Sequence, residues 1–195
     1  MTATLRSALG RMPALFLVLA CAGLPLGARA DDPRAIPLVD QTGATFRLSD
    51  LGGRPALVTF VATRCSDACP LANAAFAKLR VRLDRDRVAA RLVTITLDPA
   101  YDTPFVMSQV ARGFHADARD WIFASGSPEN VSRLMRSLGV VAVKGRSGVP
   151  DQHSSFVYVL DRSTRLSRTL LLSTDMAEDA ERALAERSLA GGGRL

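Results

Sequence analysis

Apolar positions recur along this chain with two alternating periods. Ala56–Val61 is a near-continuous apolar run behind Pro55, and Ala90–Asp98 alternates and is rich in β-branched residues, so both read as strands. Between them, from Pro70, apolar residues at 71, 75, 76, 79 and 83 follow helical spacing, and a proline suits a first turn. The pattern then repeats. Asp98-Pro99 turns the chain toward a helix with Thr103 as N-cap and Pro104 as first residue. Trp121–Gly126 is a third strand. Ser127-Pro128 opens a helix that Gly139 closes. Phe156–Asp161 and Leu166–Ser173 are the fourth and fifth strands, and Thr174–Leu189 is a closing amphipathic helix before a glycine-rich tail. Upstream, Ile36–Gly53 reads as a hairpin turning at Gln41-Thr42-Gly43. The polar, glycine-rich stretch Val140–Ser155 reads mostly as loop.

Strands alternating with helices give an α/β domain. Its sheet is largely parallel and covered on both faces, and the last two strands add an antiparallel edge. With 195 residues the chain suits one such domain plus a targeting segment.

Residues 1–30 break the pattern. Arg6 and Arg11 precede an apolar run from about Met12 to Leu26, and Ala28-Arg29-Ala30 ends it in an A-x-A site, the layout of a secretory signal peptide cleaved before Asp31. Pro13, Gly23, Pro25 and Gly27 argue against a buried core helix. A retained membrane anchor would fall short of the usual ~20 apolar residues. The alternative to plain cleavage is lipidation at Cys21, in a loose "VLAC" box. The expectation is a leader over 1–30 and an exported domain over 31–195, in the periplasm or at the outer face of the cytoplasmic membrane.

Removing the leader takes away Arg6, Arg11 and Arg29 and no acid, so the net charge falls from +6 to +3. The remaining basic excess is spread thinly, without a Lys/Arg block interleaved with aromatics, which leaves nucleic-acid binding unsupported. Two of three cysteines remain, Cys65 and Cys69 in "TRCSDACPLAN". Outside the cytosol such a pair tends to oxidise. A ring closed over three residues removes little unfolded-state entropy, however, so the pair is poorly placed as a structural staple. Reactivity or metal binding fits better. Cys69 falls at a helix start, where backbone N–H groups favour a thiolate, and Arg64 beside Cys65 acts in the same direction. Residues four apart on a helix face one way at a spacing that permits either a disulfide or convergence on one ion.

A metal would need a third ligand, and the mature chain has two histidines. His115, in the charged helix end "RGFHADARD", reads as a solvated surface residue. His153 ends a flexible loop just before the Phe156 strand. If that strand lies beside Ala56–Val61, His153 and the cysteines meet at one end of the sheet, where α/β proteins place their sites. Otherwise it is a loop histidine bonded to its neighbours. Two thiolates and one imidazole suit copper: Cu(I) favours thiolate and Cu(II) accepts nitrogen with sulfur, whereas zinc usually takes a fourth ligand.

Four motifs in order then carry a resemblance. "CSDACP" resembles the C-x-x-x-C-P motif of the Sco/SenC family of copper-binding, thioredoxin-like proteins. "VTITLDPAYDTP" is similar to that family's strand followed by D-P-x-x-D-T-P, "WIFASGSPENVSRLMRSLGV" to its W-x-x-x-x-G-S segment, and "HSSFVYVLD" to its histidine-bearing strand. The match runs from about Leu38 to Leu172; Ser66, where a proline often follows the first cysteine, and "FVATR" before it are small departures. The resemblance implies a thioredoxin-like fold in the peroxiredoxin-like variant: an N-terminal hairpin and a central, mostly parallel sheet flanked by helices. It implies copper ligands at Cys65, Cys69 and His153, with Asp98 and Asp102 at acidic positions that are structural or support the ligands. It implies a metallochaperone for the binuclear copper site of cytochrome c oxidase. The partners would be the oxidase's copper-site subunit and further periplasmic copper chaperones or thiol reductants, and the chain would be a monomer.

The competing class is a thiol–disulfide oxidoreductase that uses Cys65 and Cys69 as attacking and resolving thiols on the acceptor's copper-ligand cysteines. No W-C-x-x-C is present, and no proline directly precedes the Phe156 strand, so a general thioredoxin-like reductase is disfavoured. A peroxiredoxin would place P-x-x-x-T-x-x-C at its cysteine, where this chain has Val58 and Ala62.

Overall fold

In the computed structural model, which describes residues 32–65, 68–146, 148–173 and 175–191, the Ala56–Val61 run is a strand buried along its whole length. The expected leader and Cys21 lie outside the described residues, as do the side chains at 68, 69, 151 and 186–191. In chain order the elements are β1 (Leu38–Val39), β2 (Thr45–Phe46), β3 (Ala56–Val61), α1 (Ala68–Arg85), β4 (Arg91–Thr96), α2 (Pro104–Gly113), β5 (Trp121–Ala124), α3 (Pro128–Leu138), β6 (Ala142–Lys144), β7 (Pro150–His153), β8 (Phe156–Leu160), β9 (Leu166–Leu171) and α4 (Met176–Gly191).

Five strands form the central sheet in the order β5-β4-β3-β8-β9. β3, β4 and β5 run parallel, β8 pairs antiparallel with β3, and β9 antiparallel with β8. This is the mixed sheet expected, with the antiparallel strands on one edge. Helical spacing explains α1, which buries Ala72, Phe76, Leu79 and Leu83 on one face. α2 and α3 begin as expected, with Thr103 and Ser127 accepting from Val106 N and Asn130 N and a proline in each first turn. Gly139 ends α3 at φ +69°, a left-handed conformation that a side chain would oppose.

The β1–β2 hairpin turns through Gly43 and covers the β5 edge. The Gln41 side chain completes that edge: its Nε2 donates to Trp121 O at 2.9 Å and its Oε1 accepts from Phe123 N at 2.9 Å. An amide there does the work of another strand's backbone.

Two expectations are corrected. Val140–Ser155 is not mostly loop: β6 and β7 pair antiparallel, with Ala142 opposite His153 and a register shift at Val143/Lys144. Strands this short, around a glycine-rich turn and with Pro150 at one end, give little periodic pattern to announce them. The closing helix also continues to Gly191, past the boundary that its glycines suggested. Among the described residues, no helix is long and apolar enough to cross a membrane.

Candidate metal centre

The end of the sheet where β3, β4 and β5 finish is where the cysteines begin. After β3 the chain turns through Thr63 and Arg64, and Cys65 N donates to Ala62 O at 3.0 Å. Cys65 is half-buried against the core. Cys69 is the second residue of the 18-residue α1, among the N–H groups that lack intrahelical acceptors. A thiolate is favoured at such a position.

His153 comes to the same end from the other direction. β8 lies directly beside β3, with Ala56 opposite Leu160 and Thr59 opposite Val157, so β8 begins where β3 ends. Thr59 Oγ1 donates to Phe156 O at 3.2 Å across this pair. His153 closes β7, three residues before β8. Its Nδ1 lies 3.2 Å from Ser154 O. A carbonyl only accepts, so with the ring proton on Nδ1 this contact is a hydrogen bond that orients the imidazole. Ser154 is tied in turn to β6: its N donates to Val141 O at 2.9 Å, and its Oγ accepts from Val141 N at 3.1 Å.

The two aspartates grip the residues that lead into Cys65. Asp102 is fully buried. Its Oδ2 accepts from Thr63 N at 3.0 Å and from Thr96 Oγ1 at 2.7 Å, and its Oδ1 accepts from Thr63 Oγ1. Its own carbonyl accepts from Ser125 Oγ at 2.6 Å, so one residue ties together the ends of β3, β4 and β5. Asp98, also buried, takes an ion pair from Arg64 at 2.6 Å, and the guanidinium lies 4.3 Å from the Tyr101 ring centroid. That hydrogen bond holds the Arg64 guanidinium above its ordinary pKa. Arg64 is thus paired with Asp98 as well as lying next to Cys65 in the chain.

Cys65, the backbone of Cys69, His153, Asp98 and Asp102 thus gather at one end of the sheet. His115 does not: it is exposed beyond the far end of α2, at φ +50°, and its carbonyl accepts from Arg80 Nη1 at 2.9 Å. Among the described residues no three His, Cys, Asp or Glu side chains form a metal cluster, and the Cys69 side chain is outside that description. Sulfur and imidazole are donors of a kind that suits copper. Thr63, Thr96 and Ser154 escaped the sequence reading. Threonine beside the cysteine was their one visible signal, because the Thr63–Asp102 contact spans 39 residues.

A family model described as SCO1/SenC matches residues 33–187. An SCO2-like protein of Rickettsia prowazekii is 28% identical over 149 residues, covering 74% of this chain and 71% of its own. The copper-bound structure of Bradyrhizobium japonicum ScoI superposes with a TM-score of 0.65 at 26% identity, covering 76% of this chain and 94% of that one. BsSco, described as a member of the Sco family of cytochrome c oxidase assembly proteins and as containing a disulfide switch, superposes with a TM-score of 0.64 at 21% identity, covering 76% and 90%. These likenesses identify the fold as thioredoxin-like.

Proposed function

This chain belongs to the SCO1/SenC family, and from that membership we propose that it is a copper metallochaperone. It binds one copper through Cys65, Cys69 and His153 and delivers it to the binuclear copper site of cytochrome c oxidase. The domain is exported, by cleavage of the leader before Asp31 or by lipidation at Cys21, and acts in the periplasm or at the outer face of the cytoplasmic membrane as a monomer. The observation that carries this reading is the β3–β8 pairing, which leads the cysteine segment and His153 to one sheet end. The Nδ1–carbonyl contact supports it further, because it orients the imidazole at that end. Copper is cargo here. Cu(I) would leave by ligand exchange, an acceptor thiolate entering as each of Cys65 and Cys69 departs, with His153 tuning affinity and admitting Cu(II).

Copper titration of the reduced protein tests the proposal, with a competing chelator for Cu(I) and visible charge-transfer absorption for Cu(II). We expect one tightly held copper per chain, lost in Cys65→Ser/Cys69→Ser and weakened in His153→Ala. Absence of copper binding, with the dithiol still exchanging rapidly with glutathione, would sink it.

That second outcome is the oxidoreductase reading, which has support of its own in the place of Cys69 at the start of α1 and in the disulfide switch ascribed to BsSco. One thiolate would attack an acceptor disulfide to form a mixed disulfide. The other would then displace the acceptor thiol, leaving Cys65–Cys69 oxidised and the acceptor reduced by two electrons.

A further inference from the structure

The two edges of the central sheet end differently. At β5 the β1–β2 hairpin and the Gln41 side chain occupy the edge. At β9 the edge is open. Leu172 N donates to Ser155 O at 2.8 Å, and Ser167 Oγ donates to Val159 O at 3.0 Å, so Ser155 and Val159 turn their carbonyls toward β9. Bonded and non-bonded pairs alternate along an antiparallel ladder. Leu170 and Arg168 therefore bond to β8, and the N–H and C=O groups of Thr169 and Leu171 point away from the sheet. Among the described residues no backbone group bonds to them there. An edge of this kind is a template for another strand.

The register shift near the start of β9 selects which strand fits. Leu166 lies opposite Leu160 and Leu171 opposite Phe156, and those two β8 residues, four apart, share a face. Leu166 and Leu171 are five apart, so only the shift brings them to one face. Thr169, opposite Tyr158, stands midway between them on that face. The leucines are 48% and 63% exposed, and Thr169 is exposed. The row is complementary to itself. Turned about a two-fold axis at Thr169, it sets Thr169 against the same residue of a second copy as a bonded pair, and each Leu171 beside the other copy's Leu166.

We propose that β9 pairs edge to edge with β9 of a second copy, antiparallel about that axis, and joins the two five-stranded sheets into one. The charges agree with this arrangement. Arg162 and Arg165 are exposed just before β9 and Asp175 just after it, so antiparallel pairing brings the basic start of one strand toward the acidic end of the other. Arg168, the one cation within β9, lies on the opposite face and comes beside the other copy's Leu170. Contact along one six-residue strand, roughly 20 Å long, falls short of the standard ~800 Å² per partner. The dimer is therefore weak, and the single chain is the species at low concentration. β3, which leads to Cys65, stands two strands in from this edge, so pairing leaves the metal centre of each copy uncovered. The inference stands apart from the chaperone reading and does not need it.

The test uses the reduced, copper-free protein. Sedimentation equilibrium follows its average mass from about 10 µM to about 1 mM, a range suited to a small interface, and amide exchange is read at both ends of that range. We expect the mass to rise from one chain toward two. The amides of Thr169 and Leu171 should gain protection with it, while those of Arg168 and Leu170, already in the β8 ladder, stay unchanged. Three variants, each checked for native circular dichroism, then locate the contact. Thr169→Pro removes the central outward N–H without touching a bond to β8, and Leu166→Lys sets a charge beside the other copy's Leu171. Each should weaken association about ten-fold or more, the scale of one lost anchor. Val81→Lys, on the exposed side of α1, should match wild type. A wild-type chain that stays single at about 1 mM overturns the proposal and leaves the edge to a strand from another protein. A dimer whose Thr169 and Leu171 amides exchange as fast as the monomer's also overturns it, and that readout needs no variant to fold. So does a dimer that Thr169→Pro and Leu166→Lys leave equally strong.

Discussion

Cys65 and His153 reach the same end of the sheet on supports of different stiffness. The two residues before Cys65 are each held by a buried carboxylate: Thr63 by Asp102 through two donors, and Arg64 by Asp98. Asp102 also holds Thr96 and Ser125, so the turn cannot shift unless the ends of three strands shift with it. His153 stands on a two-stranded hairpin outside the central sheet, and the bonds that anchor its end run between Ser154 and Val141 at an exposed position. Buried networks with every member satisfied are rigid, whereas short exposed pairings open at little cost. If the proposed chaperone reading holds, this asymmetry would keep the cysteine half of the site ready while the histidine half adjusts to let an acceptor in.

The largest effect should come from breaking the stiff side. Asp102→Ala removes one acceptor and leaves Thr63 N, Thr63 Oγ1 and Thr96 Oγ1 buried without it. We expect about 3 kcal/mol of lost stability, read as a lower urea midpoint with an unchanged slope. Asp102→Asn keeps the shape and should cost less. A shift below about 0.5 kcal/mol for Asp102→Ala, the level of an ordinary surface change, would mean that the brace contributes little.

On the adjustable side the same kind of change should act locally. Ser154→Ala removes the side-chain bond to Val141 N and leaves the backbone bond from Ser154 N to Val141 O. We expect a global cost of about 0.5–1 kcal/mol. Amide exchange in 142–153 should nevertheless rise clearly while the Thr63–Cys65 turn stays protected. If exchange rises equally in both segments, the two supports are one cooperative unit and the contrast fails.

The two supports also differ in how far the residues announced them. β3 runs over the very span its apolar pattern outlined, and α2 and α3 start at their Ser/Thr-Pro signals, because burial and capping are local codes. The adjacency of β3 and β8, on which the site depends, was visible only as a condition, since no local pattern names a strand's neighbour. The β6–β7 hairpin stayed hidden because strands of three and four residues around a glycine-rich turn look like loop. Asp98 and Asp102 stood out through the family motif they match, but their partners did not: Asp102 reaches back to Thr63, and Asp98 pairs with Arg64.

The smallest effect concerns β8, the strand that joins the two halves. The two buried threonines of β4 are satisfied, with Thr94 accepting from Trp121 Nε1 at 3.0 Å and Thr96 bonded to Asp102. Tyr158 on β8 is not: its ring packs edge-on against Phe60, and its hydroxyl is buried with no hydrogen-bond partner among the described residues. Burial holds its phenol above the ordinary value of 10.0. The unfolded chain ionises this group near that ordinary value and the folded chain only at higher pH. Its contribution to stability is therefore fully present below about pH 10 and lost as pH rises through the folded pKa. Tyr158→Phe removes both the unpaired hydroxyl and the titration. We expect it to gain about 0.5–1 kcal/mol at neutral pH and to flatten the alkaline decline in stability, followed by urea midpoints from pH 8 to 11. A loss at neutral pH would mean that the hydroxyl has a partner in solution, a bound water above all, and that Tyr158 is as well satisfied as Thr94 and Thr96.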